Sequence, residues 1–163
     1  MLFAHAQPTR DPLRVAITRA FLADETQVVE SLLPLARVSD AQLQRIELGA
    51  VGPGVPDVNY CIGGMEGWLE LKATENWSVP FRPGQPGWIA RRVRAGGRVF
   101  ILTRRRHGGG PRKGEPVDEL WIHKGKEVLA VNSGDLRSAE TALWLAGGPR
   151  NWDWAAVQQV LVA

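Results

Sequence analysis

The chain has one cysteine, Cys61, among 163 residues. A single thiol excludes an internal disulfide framework and a zinc site built from several cysteines. The three histidines, His5, His107 and His123, are scattered without metal-ligand spacing. Neither a paired His-x-x-x-His nor a Gly-x-Ser-x-Gly elbow is present. Gly108-Gly109-Gly110 lacks the Lys-Ser/Thr that would make a nucleotide P-loop. Repeats and heptads are absent, and no apolar run approaches the roughly 20 residues that span a bilayer. Met1 to Arg10 shows no basic start followed by a long apolar run. The expectation is a cytoplasmic protein with no membrane partner.

Acidic residues are missing where basic ones are dense. Residues 82–113 hold Arg82, Arg91, Arg92, Arg94, Arg98, Arg104, Arg105, Arg106, Arg112 and Lys113, and no Asp or Glu. The net charge of +3 is modest, so the asymmetry lies in the distribution. Such a block suits a polyanion, although a solvated basic face would look the same. Its expected nucleic-acid contacts are Arg82, Arg91, Arg92, Arg104, Arg105, Arg106, Arg112 and Lys113, with Thr103 to Gly114 read as a glycine- and arginine-rich loop.

The chain is organised around residues 54–72. Val58 to Ile62, a Gly63-Gly64 pair and Glu66 to Lys72 read as a β-hairpin. Glu70 and Lys72 stand two apart and share a strand face with Trp68, whereas Leu69 and Leu71 point the other way into a core. Asp57, at the start of the first strand, is brought towards Glu70. Two carboxylates suit a hard divalent cation such as Mg²⁺ or Mn²⁺. The Leu71 carbonyl, lying between two site residues, can reach the same ion. The lysine can stabilise charge on a phosphorane. Gln85 opens a helix with Pro86 at its first turn and can point back to a water or phosphate oxygen.

Pro56-Asp57, the hairpin and Glu70-Leu71-Lys72 resemble the PD-(D/E)XK nuclease superfamily. Gln85, Trp88-Ile89, the Gly96-Gly97 break and the apolar Val99 to Leu102 run extend the likeness to its small phage-type and Holliday-junction-resolvase-like members, across roughly residues 45–131. The resemblance implies an α/β, restriction-endonuclease-like core with a mixed central sheet flanked by helices. It implies a metal-dependent DNA endonuclease with Asp57, Glu70, Lys72 and Gln85 in the catalytic set. It also implies a further acidic ligand from upstream, for which Glu47 is best placed, with Glu30 and Glu25 behind it. A homodimer would be expected if the substrate is a junction.

The whole chain, 1–163, reads as one nuclease domain: a helical part at 1–44, a catalytic core at 45–131 and carboxy-terminal helices at 132–163. An apolar stripe from Leu13 to about Ala36 has helical spacing. Asp11 to Val38 also resembles a leading helical stretch of bifunctional proline dehydrogenases, without that family's catalytic parts. Ser39-Asp40 precedes a short helical turn over 41–44, and Arg45 to Leu48 reads as a strand. Trp77 and Phe81 either stack on a base or plug the core edge. Leu120 to His123 and Val128 to Val131 read as a second hairpin. Asp135 or Ser138 caps a helix through Leu145, and Trp152 to Val162 forms a last helix with Trp144, Trp152 and Trp154 clustered nearby. Two other readings fit the same residues: a nucleic-acid-binding module without catalysis, and a structural protein in which Lys72 pairs with a carboxylate.

Overall fold

The computed structural model describes residues 41–46, 54–108, 115–149 and 151–163. The expected stripe at 13–36, Glu47 with Glu25 and Glu30, and Arg112 with Lys113 lie outside them.

Six strands form one mixed sheet in sequential order, β1 to β6. They are β1 (Ala41–Arg45), β2 (Val58–Ile62), β3 (Met65–Thr74), β4 (Val99–His107), β5 (Val117–Lys124) and β6 (Thr141–Ala146). Helix α1 (Gln85–Arg94) crosses from β3 to β4, α2 (Val128–Ser133) follows a 3-10 turn after β5, and α3 (Trp154–Val162) closes the chain. The β3–β4 pair is parallel and the others are antiparallel. A parallel neighbour requires a crossover, which α1 supplies. The expected class, an α/β mixed sheet flanked by helices, is what the chain forms. Among the described residues no helix is long and apolar enough to cross a membrane.

The central hairpin forms as its sequence dictates. Gly63 and Gly64 both take positive φ, at 56° and 80°. That conformation makes a two-residue turn whose twist matches its strands. Val58 then faces Leu69, and Tyr60 faces Gly67. Alternation sorts the side chains onto two faces. Val58, Tyr60, Ile62, Leu69, Phe100, Leu102, Leu120 and Ile122 pack with Trp152, Trp154, Val157 and Leu161 from the α3 end. Trp68, Val99 and Ile101 face the other way, against Ile89 of α1 and Val128 of α2. The polar residues of the hairpin lie on this second face, beneath the start of α1.

Three sequence expectations are corrected. Residues 41–44 are strand, not a helical turn. They pair antiparallel with β2, and Gln42 and Gln44 are both exposed, as on one side of a strand. The second hairpin is absent. Only its first arm is a strand, and the chain turns at Gly125, where an added Cβ would meet Val93 and Val99 within 3 Å. The next segment buries Val128 and Val131 and leaves Leu129 60% exposed. Burial at spacing three is helical, whereas a strand would bury alternate residues. The helix through Leu145 is instead β6, which sets Trp144 opposite Trp121. Asp135 closes a turn there, accepting from the Arg137 N–H at 2.7 Å. The carboxy-terminal part is therefore a strand and one helix. Trp152 and Trp154 are core, and Trp144 is half exposed on the sheet's edge strand.

One close approach fixes the loop before Asp57. Gly54 is buried with φ 88°, and a Cβ there would lie 2.6 Å from the Gly84 carbonyl, just before α1. Gly63 has positive φ but open space around it. Gly63→Ala is therefore expected to cost about 1–2 kcal/mol, the left-handed penalty alone. Gly54→Ala is expected to cost clearly more, because backbone must also move. Urea unfolding of both variants checks the order, and equal losses would mean the Gly54–Gly84 contact is not tight.

Candidate active site

Asp57, Glu70, Lys72 and Gln85 come together. Glu70 and Lys72 stand on one face of β3, and Gln85 is the first residue of α1. All three are buried. Lys72 Nζ lies 2.6 Å from Glu70 Oε1 and donates to Gln85 Oε1 at 2.8 Å. Gln85 Nε2 donates to the same Glu70 Oε1 at 2.5 Å. The ring of Phe81 lies 5.4 Å from the ammonium, a favourable cation–π distance. Glu70 Oε1 thus takes two donors, while Glu70 Oε2 is buried and has no partner in the protein.

Asp57 sits where β2 begins, one step before the Val58–Leu69 pair, which brings it alongside Glu70. Its Oδ2 accepts from the Leu71 N–H at 2.8 Å. In a strand the N–H and C=O of one residue face the same side. The Leu71 carbonyl therefore faces the edge where Asp57 stands. Asp57, Glu70 and the Leu71 carbonyl occupy neighbouring register positions, and oxygen donors of this kind are what hard divalent cations take. The unpartnered Glu70 Oε2 fits such an ion, since a buried carboxylate oxygen with no donor calls for a counter-charge. Among the described residues no three His, Cys, Asp or Glu side chains cluster for a metal.

Gln85 is buried and turned inward. Its Oε1 accepts from both Lys72 and the Arg82 N–H, the latter at 2.7 Å, and its Nε2 is given to Glu70. Its oxygen is filled and one of its two N–H groups is given to Glu70 inside the buried cluster, so the amide positions Lys72 and Glu70. The two aromatic candidates for base stacking are occupied as well. Phe81 faces Lys72, and Trp77 has the guanidiniums of Arg105 and Arg137 at 3.7 and 4.2 Å from its ring centre.

The basic block divides. Arg82, Arg91, Arg92 and Arg106 are exposed. Arg104 and Arg105 are not in a loop: they belong to β4 and are buried. Arg104 forms a bidentate pair with Asp118 at 2.8 and 2.6 Å, and Arg105 bonds Glu119 at 3.0 Å. Their charges are balanced across the β4–β5 register, so these two do not present free cations to a polyanion. The acid-free stretch in sequence finds its acids about one hairpin away. His123 is buried on β5 with Nε2 against the Leu136 carbonyl at 3.0 Å. Sequence reasoning gave it no role, and its contacts are those of a core histidine.

A family model described as the proline utilization A proline dehydrogenase N-terminal domain matches residues 11–50. The match covers a minority of the chain and includes β1 but none of the residues just described. It agrees with the short likeness seen over 11–38. No nuclease family matches, no curated protein matches, and no solved structure matches. The expected membership of the PD-(D/E)XK superfamily is corrected accordingly. Two carboxylates and a lysine on a hairpin are a small motif, and the geometry they make must be judged by its own chemistry.

Burial pushes the Glu70 carboxyl up from its ordinary 4.5 to about 7. The Asp57 charge pushes the same way, and Lys72 and Arg82 pull back. A carboxyl whose folded pKa is raised stabilises the fold fully below its unfolded pKa, and that contribution is lost as pH rises through the folded value. His123 is held below its ordinary 6.5 by burial and acts oppositely, costing stability as pH falls below that value. The Glu70 contribution is isolated by the difference between wild type and Glu70→Gln. In chelator, wild type is expected to lose about 3 kcal/mol relative to Glu70→Gln between pH 4.5 and pH 8. Urea unfolding at four pH values checks this, and parallel curves would mean Glu70 titrates normally.

Proposed function

We propose that the chain is a divalent-cation-dependent phosphodiesterase that cuts DNA. The observation that carries the reading is Glu70: one oxygen is held by Lys72 and Gln85, the other is buried and unpartnered, and the Asp57 charge acts on the same carboxyl. Asp57, Glu70 and the Leu71 carbonyl would hold Mg²⁺ or Mn²⁺. Bound there, the ion supplies Lewis-acid polarisation of a phosphoryl oxygen and makes water a better nucleophile at neutral pH. Lys72 has a third N–H beyond those given to Glu70 and Gln85, and it offers positive charge to the oxygens that become more anionic in the transition state. Gln85 keeps the lysine and the glutamate apart from bulk water and in register. Exposed Arg91 and Arg92 on α1 add the non-specific attraction that phosphate backbones provide.

One observation favours a second reading. The buried Lys72–Glu70 pair at 2.6 Å is what a purely structural role for the hairpin requires. That role leaves Glu70 Oε2 unexplained, and a buried pair is weak evidence of stabilisation. Cleavage of labelled branched, flapped, single-stranded and duplex DNAs with Mg²⁺ or Mn²⁺ separates the two. Wild type is expected to cut at least one of them. Asp57→Ala and Glu70→Ala are expected to lose cleavage and cation binding together. Lys72→Ala is expected to retain calorimetric cation affinity and slow single-turnover cleavage about 10²–10³-fold. A Glu70→Ala protein cutting at the wild-type rate would sink the site, and a wild type that binds no cation would leave the structural reading standing.

A further inference from the structure

A groove of about 1100 Å³ opens at the ends of β3 and β4, lined by Thr74, Glu75, Trp77 and the Arg104–Arg106 triplet among others. These are the carboxyl ends of the one parallel strand pair among the described residues, the edge of an open α/β sheet where ligands characteristically bind. Thr74 lies two residues beyond Lys72 on the same face of β3, about 7 Å along the strand. The groove therefore begins next to the proposed site.

The walls indicate the ligand's class. Polar and charged side chains outweigh apolar ones such as Ala73, Pro116 and Val117, which disfavours a wholly apolar molecule. Trp77 is covered by Arg105 and Arg137, so no ring there is open to a base. Arg104 and Arg105 are neutralised by Asp118 and Glu119. Arg106 is exposed, and among the described residues it has no ion pair. Arg105 Nε is buried without a partner. The volume is that of a small-ligand cleft, room for a few nucleotides of one strand. Glu75 is exposed in the same wall and opposes an anion.

Building on the phosphodiesterase reading, we infer that this groove holds the sugar–phosphate backbone of a single-stranded arm of the substrate, with Arg106 as its phosphate contact and no base readout. The site would then act on DNA that carries an unpaired strand.

Binding in chelator tests this without catalysis. Fluorescence anisotropy compares a labelled twelve-residue oligothymidine, the corresponding duplex and thymidine monophosphate as competitor. The single strand is expected to bind at least fivefold tighter than the duplex. Arg106→Ala is expected to weaken it at least fivefold and to flatten the slope of log affinity against log salt by about 0.7, one single-strand phosphate. Glu75→Gln is expected to tighten it about twofold. Arg94→Ala removes the same charge from the far end of α1 and is expected to change it less than twofold. Duplex bound as tightly as single strand, an Arg106→Ala protein with unchanged slope, or full competition by the mononucleotide at comparable concentration would each overturn the inference. Cleavage of plain duplex without single-strand preference would remove the groove's role and leave the phosphodiesterase reading intact. Single-strand binding without cleavage in either metal would do the reverse.

Discussion

Everything at the site depends on one shared oxygen. Glu70 Oε1 receives both the Lys72 ammonium and the Gln85 amide, and Lys72 donates in turn to Gln85 Oε1, so three side chains from two elements close on one another. The bond fixes where α1 starts relative to β3. It also fixes which Glu70 oxygen stays without a donor. The Gly54–Gly84 approach serves the same geometry from the backbone side, since it holds the strand that carries Asp57 against the start of α1. Crowding by a single Cβ there would move Asp57 and Gln85 apart together.

The arrangement makes sense of a costly choice. An ionised carboxylate buried in a sheet loses hydration that a single lysine repays only in part. The carboxyl answers by holding its proton to about pH 7. A second positive charge next to Oε2 would remove the reason for that rise, because opposite charge favours the ionised form. On the proposed reading, binding of a cation and loss of the proton would be linked, and cation affinity would increase with pH across the same interval.

The central hairpin and α1 were legible because their signals are local. A Gly-Gly pair between alternating strands, and Gln-Pro followed by an apolar face, each specify one conformation with nothing further needed. Asp57, Glu70, Lys72 and Gln85 could be brought together from those elements alone. What could not be read is what those groups do to one another: that Gln85 turns inward onto Lys72 and Glu70 is decided by packing under α1, not by its position in the first helical turn. The carboxy-terminal half was misread for the same reason. Val128 to Val131 is apolar at every position and fits either period. The Thr141 to Ala146 run became a strand because β5 offered an open edge to pair with, which is a property of the sheet rather than of those six residues.

The arginine block shows how far a one-dimensional charge count can mislead. Residues 82–113 contain no acid, yet Arg104 meets Asp118 and Arg105 meets Glu119, each fourteen residues on and on the neighbouring strand. Antiparallel pairing of β4 with β5 makes those distances short whatever the spacing in sequence. The positive potential that remains is carried by side chains whose strand or helix position points them to solvent: Arg91, Arg92 and Arg94 on α1, and Arg106 at the end of β4. The surviving cations therefore stand in two separate places, on α1 and at the mouth of the groove, and not as the continuous basic face that the sequence suggests.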